Sequence, residues 1–155
     1  QGIEYFLLGQ HWVGNEIGES YCGRPTGDET YLRRYCDQVI DAMHTGLFTY
    51  VAHPDLLNFT GDDRVYETHM RRLCREAKDC GLPLEINLAG LSMGRNYPDR
   101  RFWQMAGEEN CQCIFGCDAH SPSAIPNEAA LSQAQAMVRH CGLTVLETVE
   151  LRPIG

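Results

Sequence analysis

Three times in this chain a stretch with helical periodicity stops at a glycine followed by a leucine: Gly46-Leu47, Gly81-Leu82 and Gly142-Leu143. A glycine just past a helix takes the left-handed conformation that closes the last turn, and the leucine starts the return to an apolar strand. This repeat constrains the fold most, because it sets a unit of strand, loop, helix and glycine and runs it along the chain. Apolar runs near Tyr5–Leu8, Leu47–Val51, Leu84–Leu88, Cys113–Cys117 and Leu143–Leu146 supply the strands. Between them, Leu32, Cys36, Val39, Ile40 and Met43 mark one helix face, and Tyr66, Met70, Leu73, Cys74 and Ala77 a second. Leu131, Ala134, Met137, Val138 and Cys141 mark a third, and Phe102, Trp103 and Ala106 a shorter helix. Thr26-Gly27-Asp28-Glu29 offers a capping box before the first helix, Asp62-Asp63 a cap for the second, and Pro98-Asp99 and Pro126-Asn127 precede the others. Alternating strands and helices of this kind make a parallel α/β structure.

The connections are asymmetric. Those after the strands are long, near residues 14–28, 54–63, 89–98 and 119–126, whereas those before the strands are only about two to four residues. Chemistry in parallel α/β folds gathers at the carboxyl ends of the strands, where such long loops lie. A barrel is the leading class, yet four or five strands are too few to close one of eight.

With 155 residues the chain is expected to form one domain spanning 1–155, and its net charge of −8 argues against a nucleic-acid-binding surface. No run of 18 apolar residues predicts a membrane span, and the start of the chain shows no signal-peptide pattern. Of the eight cysteines, several fall at apolar-periodic positions, where a free thiol packs as a small hydrophobe. Cys111-x-Cys113-x3-Cys117 lacks the second pair that a zinc site needs, so the cysteines read as reduced and structural, in a cytoplasmic protein.

Ligand-type residues collect at the strand ends. The first run ends in Gly9-Gln10-His11-Trp12, the second in Val51-Ala52-His53-Pro54-Asp55, the third carries Glu85-Ile86-Asn87 and the fourth Asp118-Ala119-His120. Two residues apart on a strand, Asp118 and His120 would share a face. Each alone has an ordinary explanation: a hydrogen-bonded His11 or His53, a Glu85 paired with an arginine, an Asn87 bonding a loop, an Asp118 capping the next helix. Their coincidence on one rim points to a metal site of imidazole and carboxylate, which suits zinc, manganese or iron. His44, His69 and His140 fall within or at the ends of helices and read as structural or solvated.

Tyr50-Val-Ala-His53-Pro-Asp55, Leu84-Glu-Ile-Asn87-x2-Gly90-Leu91 and Gly116-Cys-Asp118-Ala-His120-Ser-Pro122 together resemble the PHP (polymerase and histidinol phosphatase) family, most of all its histidinol-phosphatase branch. Phe6-Leu-Leu-Gly9-Gln-His11 resembles the strand of that family ending in a metal-binding histidine. The resemblance, running from about residue 3 to residue 125, implies a distorted seven-stranded α/β barrel with up to three metal ions on its rim. It implies hydrolysis of a small phosphate ester such as histidinol phosphate, with a metal-bound hydroxide as nucleophile. It assigns His11 and His53 to one metal, Asp118 to a second and His120 to a third, with Asn87 supporting the rim from behind; the family's basic residue falls nearer Ser92, and in this sequence Arg95 is the candidate to approach phosphate from that loop.

The family's His-x-His strand, its further histidines and its bridging glutamate have no counterpart in this sequence. The expectation is therefore a partial barrel of parallel strands lacking about three amino-terminal strands, the carboxyl-terminal part of a longer protein. A half barrel would expose strand edges, so a homo-oligomer or a complementing amino-terminal fragment is the expected partner. The isolated chain is expected to be inactive or weakly active. The alternatives are a phosphodiesterase or exonuclease of the same family, and a non-enzymatic α/β module for assembly or binding. A nucleotide-binding open sheet lacks its glycine-rich loop.

Overall fold

The computed structural model describes residues 3–14, 21–121, 125 and 128–152. Among these residues five strands form one sheet: β1 (Phe6–Gly9), β2 (Phe48–Ala52), β3 (Leu84–Asn87), β4 (Gln112–Gly116) and β5 (Thr144–Val145). The described helices that join them are α1 (Glu29–His44), α2 (Asp63–Asp79), α3 (Leu88–Ser92), α4 (Arg100–Glu108) and α5 (Glu128–Cys141). The strands lie in the order β1-β2-β3-β4-β5 and every neighbouring pair is parallel. Spatial order follows sequence order, and crossovers of one hand then place successive helices on one face of the sheet. They pack in succession, α1 on α2, α2 on α4 and α4 on α5. Among the described residues the sheet is not closed, and β1 and β5 lie at its edges.

Register explains which side chains meet the helices. Leu8 pairs with Val51, Val51 with Leu84 and Leu84 with Cys113, and all four are buried. Successive side chains alternate between faces, so Tyr50, Glu85 and Ile114 belong to the other side. On the helix face, the stripes expected for α1 and α2 are buried throughout. Each buried leucine of such a stripe contributes about 1.5–3 kcal/mol over an exposed one. The α5 stripe is a partial exception: Ala130, Ala134 and Cys141 are buried, but Leu131 stays 39% exposed. At the end of the helix row, α5 is covered on one flank by α3 and α4.

The helix ends follow the residues. Asp28, rather than Thr26, is the N-cap of α1, its Oδ1 accepting the N–H groups of Thr30 at 2.8 Å and Tyr31 at 3.4 Å. Thr26 instead accepts the N–H of Asp28, so the expected capping box does not form. Asp62 and Asp99 cap α2 and α4 in the same manner. Pro126-Asn127, expected ahead of α5, lies outside the described residues. Gly46, Gly81 and Gly142 have φ of 71°, 62° and 65°, the left-handed helix endings that opened the sequence reading. Beyond β5 the chain returns to the amino-terminal end of β2, where the Arg152 N–H bonds Thr49 Oγ1 at 3.3 Å and its guanidinium bonds the Cys80 carbonyl at 2.7 Å. Among the described residues no helix is long and apolar enough to cross a membrane.

Candidate functional site

Gly9 and Ala52 are paired at the carboxyl ends of β1 and β2, so His11 and His53 leave the sheet side by side. Their ring centroids are 4.8 Å apart in an edge-on arrangement. Both rings lean over Gly9: a Cβ there would sit 3.4 Å from His53 Cε1 and 3.5 Å from His11 Cε1. His53 is only 4% exposed, and among the described residues its buried Nδ1 meets no hydrogen-bond partner. Burial, helped by His11, pushes its pKa down to about 4 against the opposing pull of Asp118. The ring is therefore neutral at pH 7 and has a lone pair to give.

The backbone at His53 is also unusual, with φ of 33°. Its N–H donates to Glu85 Oε2 at 2.9 Å, reaching from the end of β2 to β3. That same carboxylate oxygen accepts Asn87 Nδ2 at 3.2 Å, and the same amide nitrogen reaches Asp118 Oδ2 at 3.3 Å. Asn87 Oδ1 accepts the Gly90 N–H at 2.8 Å and so caps α3. That bond fixes which end of the amide is oxygen and leaves the donor end for the two carboxylates. Glu85 thus bonds a backbone N–H and an amide, not the arginine envisaged from sequence. Burial raises its pKa, while Asn87 and the His53 N–H work against that rise.

Asp118 and His120 lie beyond the strand. β4 ends at Gly116 and Asp118 has φ of 47°, so strand alternation does not place the pair on one face. A local contact joins them instead, His120 Nε2 to Asp118 Oδ1 at 3.2 Å, with the imidazole side chain 88% exposed and the carboxylate 26%. Arg95 donates to the Tyr97 hydroxyl, and the Tyr97 ring stands 5.8 Å from that of His53. Nothing in the sequence marks Tyr97, whose place against the histidine depends on a loop path that carries no periodicity. Nor does anything mark α3, five residues inside a connection expected to be irregular. The other histidines bond elsewhere, His44 to Glu76 and His69 to Glu29. Cys111 and Cys113 are buried while Cys117 is exposed, in keeping with packing rather than a zinc site for the first two.

The donors fit part of a metal centre. His11 and His53 converge, and the unpartnered Nδ1 marks a buried nitrogen with unused capacity. Among the described residues, however, no three His, Cys, Asp or Glu side chains are arranged to hold an ion. Fold and rim define an α/β protein with an all-parallel sheet and a linked set of imidazole, carboxylate and amide groups at its carboxyl edge. In comparisons with known proteins, the chain matches no family model and no curated protein.

Proposed function

We propose that the protein carries part of a metal-dependent phosphoesterase centre, acting on a small phosphomonoester such as histidinol phosphate, as members of the PHP family it resembles do. The observation that carries this reading is the neutral His53 ring, buried with a free nitrogen beside His11. His11 and His53 would hold one ion, Asp118 a second and His120 a third, and zinc, manganese or iron suits these donors. Such ions supply Lewis acidity, neutralising phosphate charge and lowering the pKa of water. Arg95, held by Tyr97, brings a guanidinium to the same rim for the phosphate.

Two imidazoles hold an ion weakly against water. The reading therefore calls for further ligands, from strands that would extend the open sheet past β1 into a distorted barrel. A complementing amino-terminal segment would supply them, and the isolated chain would turn over slowly. The net charge of −8 favours a small substrate over a nucleic acid, which disfavours an exonuclease. The incomplete ligand set favours a second reading, a non-enzymatic α/β module that binds or assembles.

Cobalt(II) titration of the purified protein, followed visibly, separates these readings. The phosphoesterase reading expects cobalt bands that inorganic phosphate shifts, slow metal-dependent hydrolysis of a phosphomonoester over a diester, and loss of both in His53→Gln. Cobalt uptake without any phosphate response would favour the module. No uptake, or uptake indifferent to His53→Gln, would overturn the metal site.

A further inference from the structure

Glu85 is a carboxylate on a buried strand, 3% exposed, and among the described residues no cation pairs with it: its bonds go to the His53 N–H and the Asn87 amide. Opposite it in register, across the β3–β4 pairing, Gly116 neighbours Asn87 while Ile114 faces Glu85. A Cβ on Gly116 would lie 1.6 Å from Glu85 Oε1 and 2.4 Å from its Cδ. The glycine is therefore the space into which this carboxylate folds. Burying a carboxyl group with no cation beside it is costly, and such a group persists where something else depends on it.

We propose that Glu85 is the positioning residue of the rim, setting His53 and Asp118 relative to each other. Its Oε2 holds the His53 N–H, and with it the left-handed turn (φ 33°) that brings the imidazole beside His11. Through the Asn87 amide the same oxygen reaches Asp118, whose own backbone is left-handed at φ 47°. Two strained backbones on neighbouring loops thus share one carboxylate oxygen as their common anchor, directly for one and through an amide for the other. Residues bearing side chains cost of order 1 kcal/mol in that conformation and keep it where surrounding bonds over-determine it. Gly116 permits the arrangement by leaving the carboxylate its room. The idea rests on the proposed metal site for its consequence, but not for its geometry.

The test compares Glu85→Gln, which keeps an acceptor, with Glu85→Met, which fills similar space without one. Two readouts are taken: the ¹H–¹⁵N resonance of the His53 amide in metal-free protein, and zinc affinity by competition with a chromogenic chelator. Glu85→Met is expected to move the His53 amide upfield, as a lost bond to a carboxylate does, and to weaken zinc about tenfold or more. Glu85→Gln should restore most of both. Gly116→Ala should reproduce the Glu85→Met result, and should add nothing further in a Glu85→Ala background, where the new methyl has room. If Glu85→Met does not fold, Gly116→Ala against wild type carries the same comparison. An unchanged His53 amide in Glu85→Met or Gly116→Ala would overturn the proposal, as would an equal loss in Glu85→Gln. If the wild-type protein takes up no zinc, the phosphoesterase reading falls, while the amide shift still decides whether Glu85 sets the turn.

Discussion

The indole Nε1–H of Trp103 donates to Asp55 Oδ2 at 3.0 Å, tying α4 to the turn that carries His53. The Asp99 N–H at the start of α4 donates to the same oxygen, and the Tyr35 hydroxyl bonds the Pro54 carbonyl at 2.9 Å. The His53 turn is thus clamped from α1, β3 and α4 at once, which is how an irregular segment becomes a rigid support.

Asp55 is fully buried, its Oδ1 has no partner among the described residues, and burial pushes its pKa up to about 7 against the pull of its hydrogen bonds. A carboxyl whose folded pKa is raised destabilises the fold as pH climbs from its unfolded value near 4 to its folded value. The slope is at most about 1.4 kcal/mol per pH unit. His53 acts in the opposite sense, since its folded pKa is lowered to about 4. Its contribution is lost as pH falls from about 6.5 toward 4. Wild-type stability alone therefore blends two opposed slopes. Urea unfolding of metal-free Asp55→Asn beside wild type isolates the carboxyl: the variant should gain relative stability between pH 4 and pH 7. A difference independent of pH would contradict the assignment.

Gly46 has φ of 71° and open space where a side chain would go. Gly46→Ala should cost about 1 kcal/mol from backbone strain alone, and Gly46→Asn less, because asparagine tolerates that region. Equal stability of all three proteins in urea would remove the helix-ending role.

The β1 edge carries apolar surface, with Ile3 71%, Leu7 40% and Leu47 47% exposed. Sheets with such edges associate. Sedimentation should show mass rising with concentration, and Leu7→Lys should shift the protein toward monomer while its circular dichroism stays that of the folded chain. A wild-type protein that stays monomeric at high concentration would contradict this.

Arg95→Ala should weaken the phosphate response of the cobalt-loaded protein about tenfold, the scale of one lost bond to a charged group, without altering cobalt uptake. Tyr97→Phe, which removes the acceptor of the Arg95 guanidinium, should produce a smaller loss in the same phosphate titration. Undiminished phosphate binding in both variants would show that Arg95 serves another purpose.

The fold was legible where a residue's role is local. Gly46, Gly81 and Gly142 announced helix ends because a left-handed turn has few other solutions, and the stripes on α1 and α2 announced their buried faces. The α5 stripe was less faithful, since Leu131 depends on what lies beyond the helix row. At the rim, His11 and His53 meet as their strand ends suggested, whereas Asp118 and His120 meet through a turn that no strand periodicity describes. The bond from the His53 N–H to Glu85 was hidden because it crosses from the end of β2 to β3. The one clue was a glycine at position 116, a residue that leaves space for a neighbour.

If this rim binds a metal ion, His11 and His53 bind it as a pair. Zinc titration followed by ¹H–¹⁵N correlation of the histidine rings reads that pairing. The rings of His11 and His53 should shift together with zinc, while those of His44 and His69, bonded to Glu76 and Glu29, stay in place. Shifts confined to those other histidines, or none at His11 and His53 at saturating zinc, would contradict it.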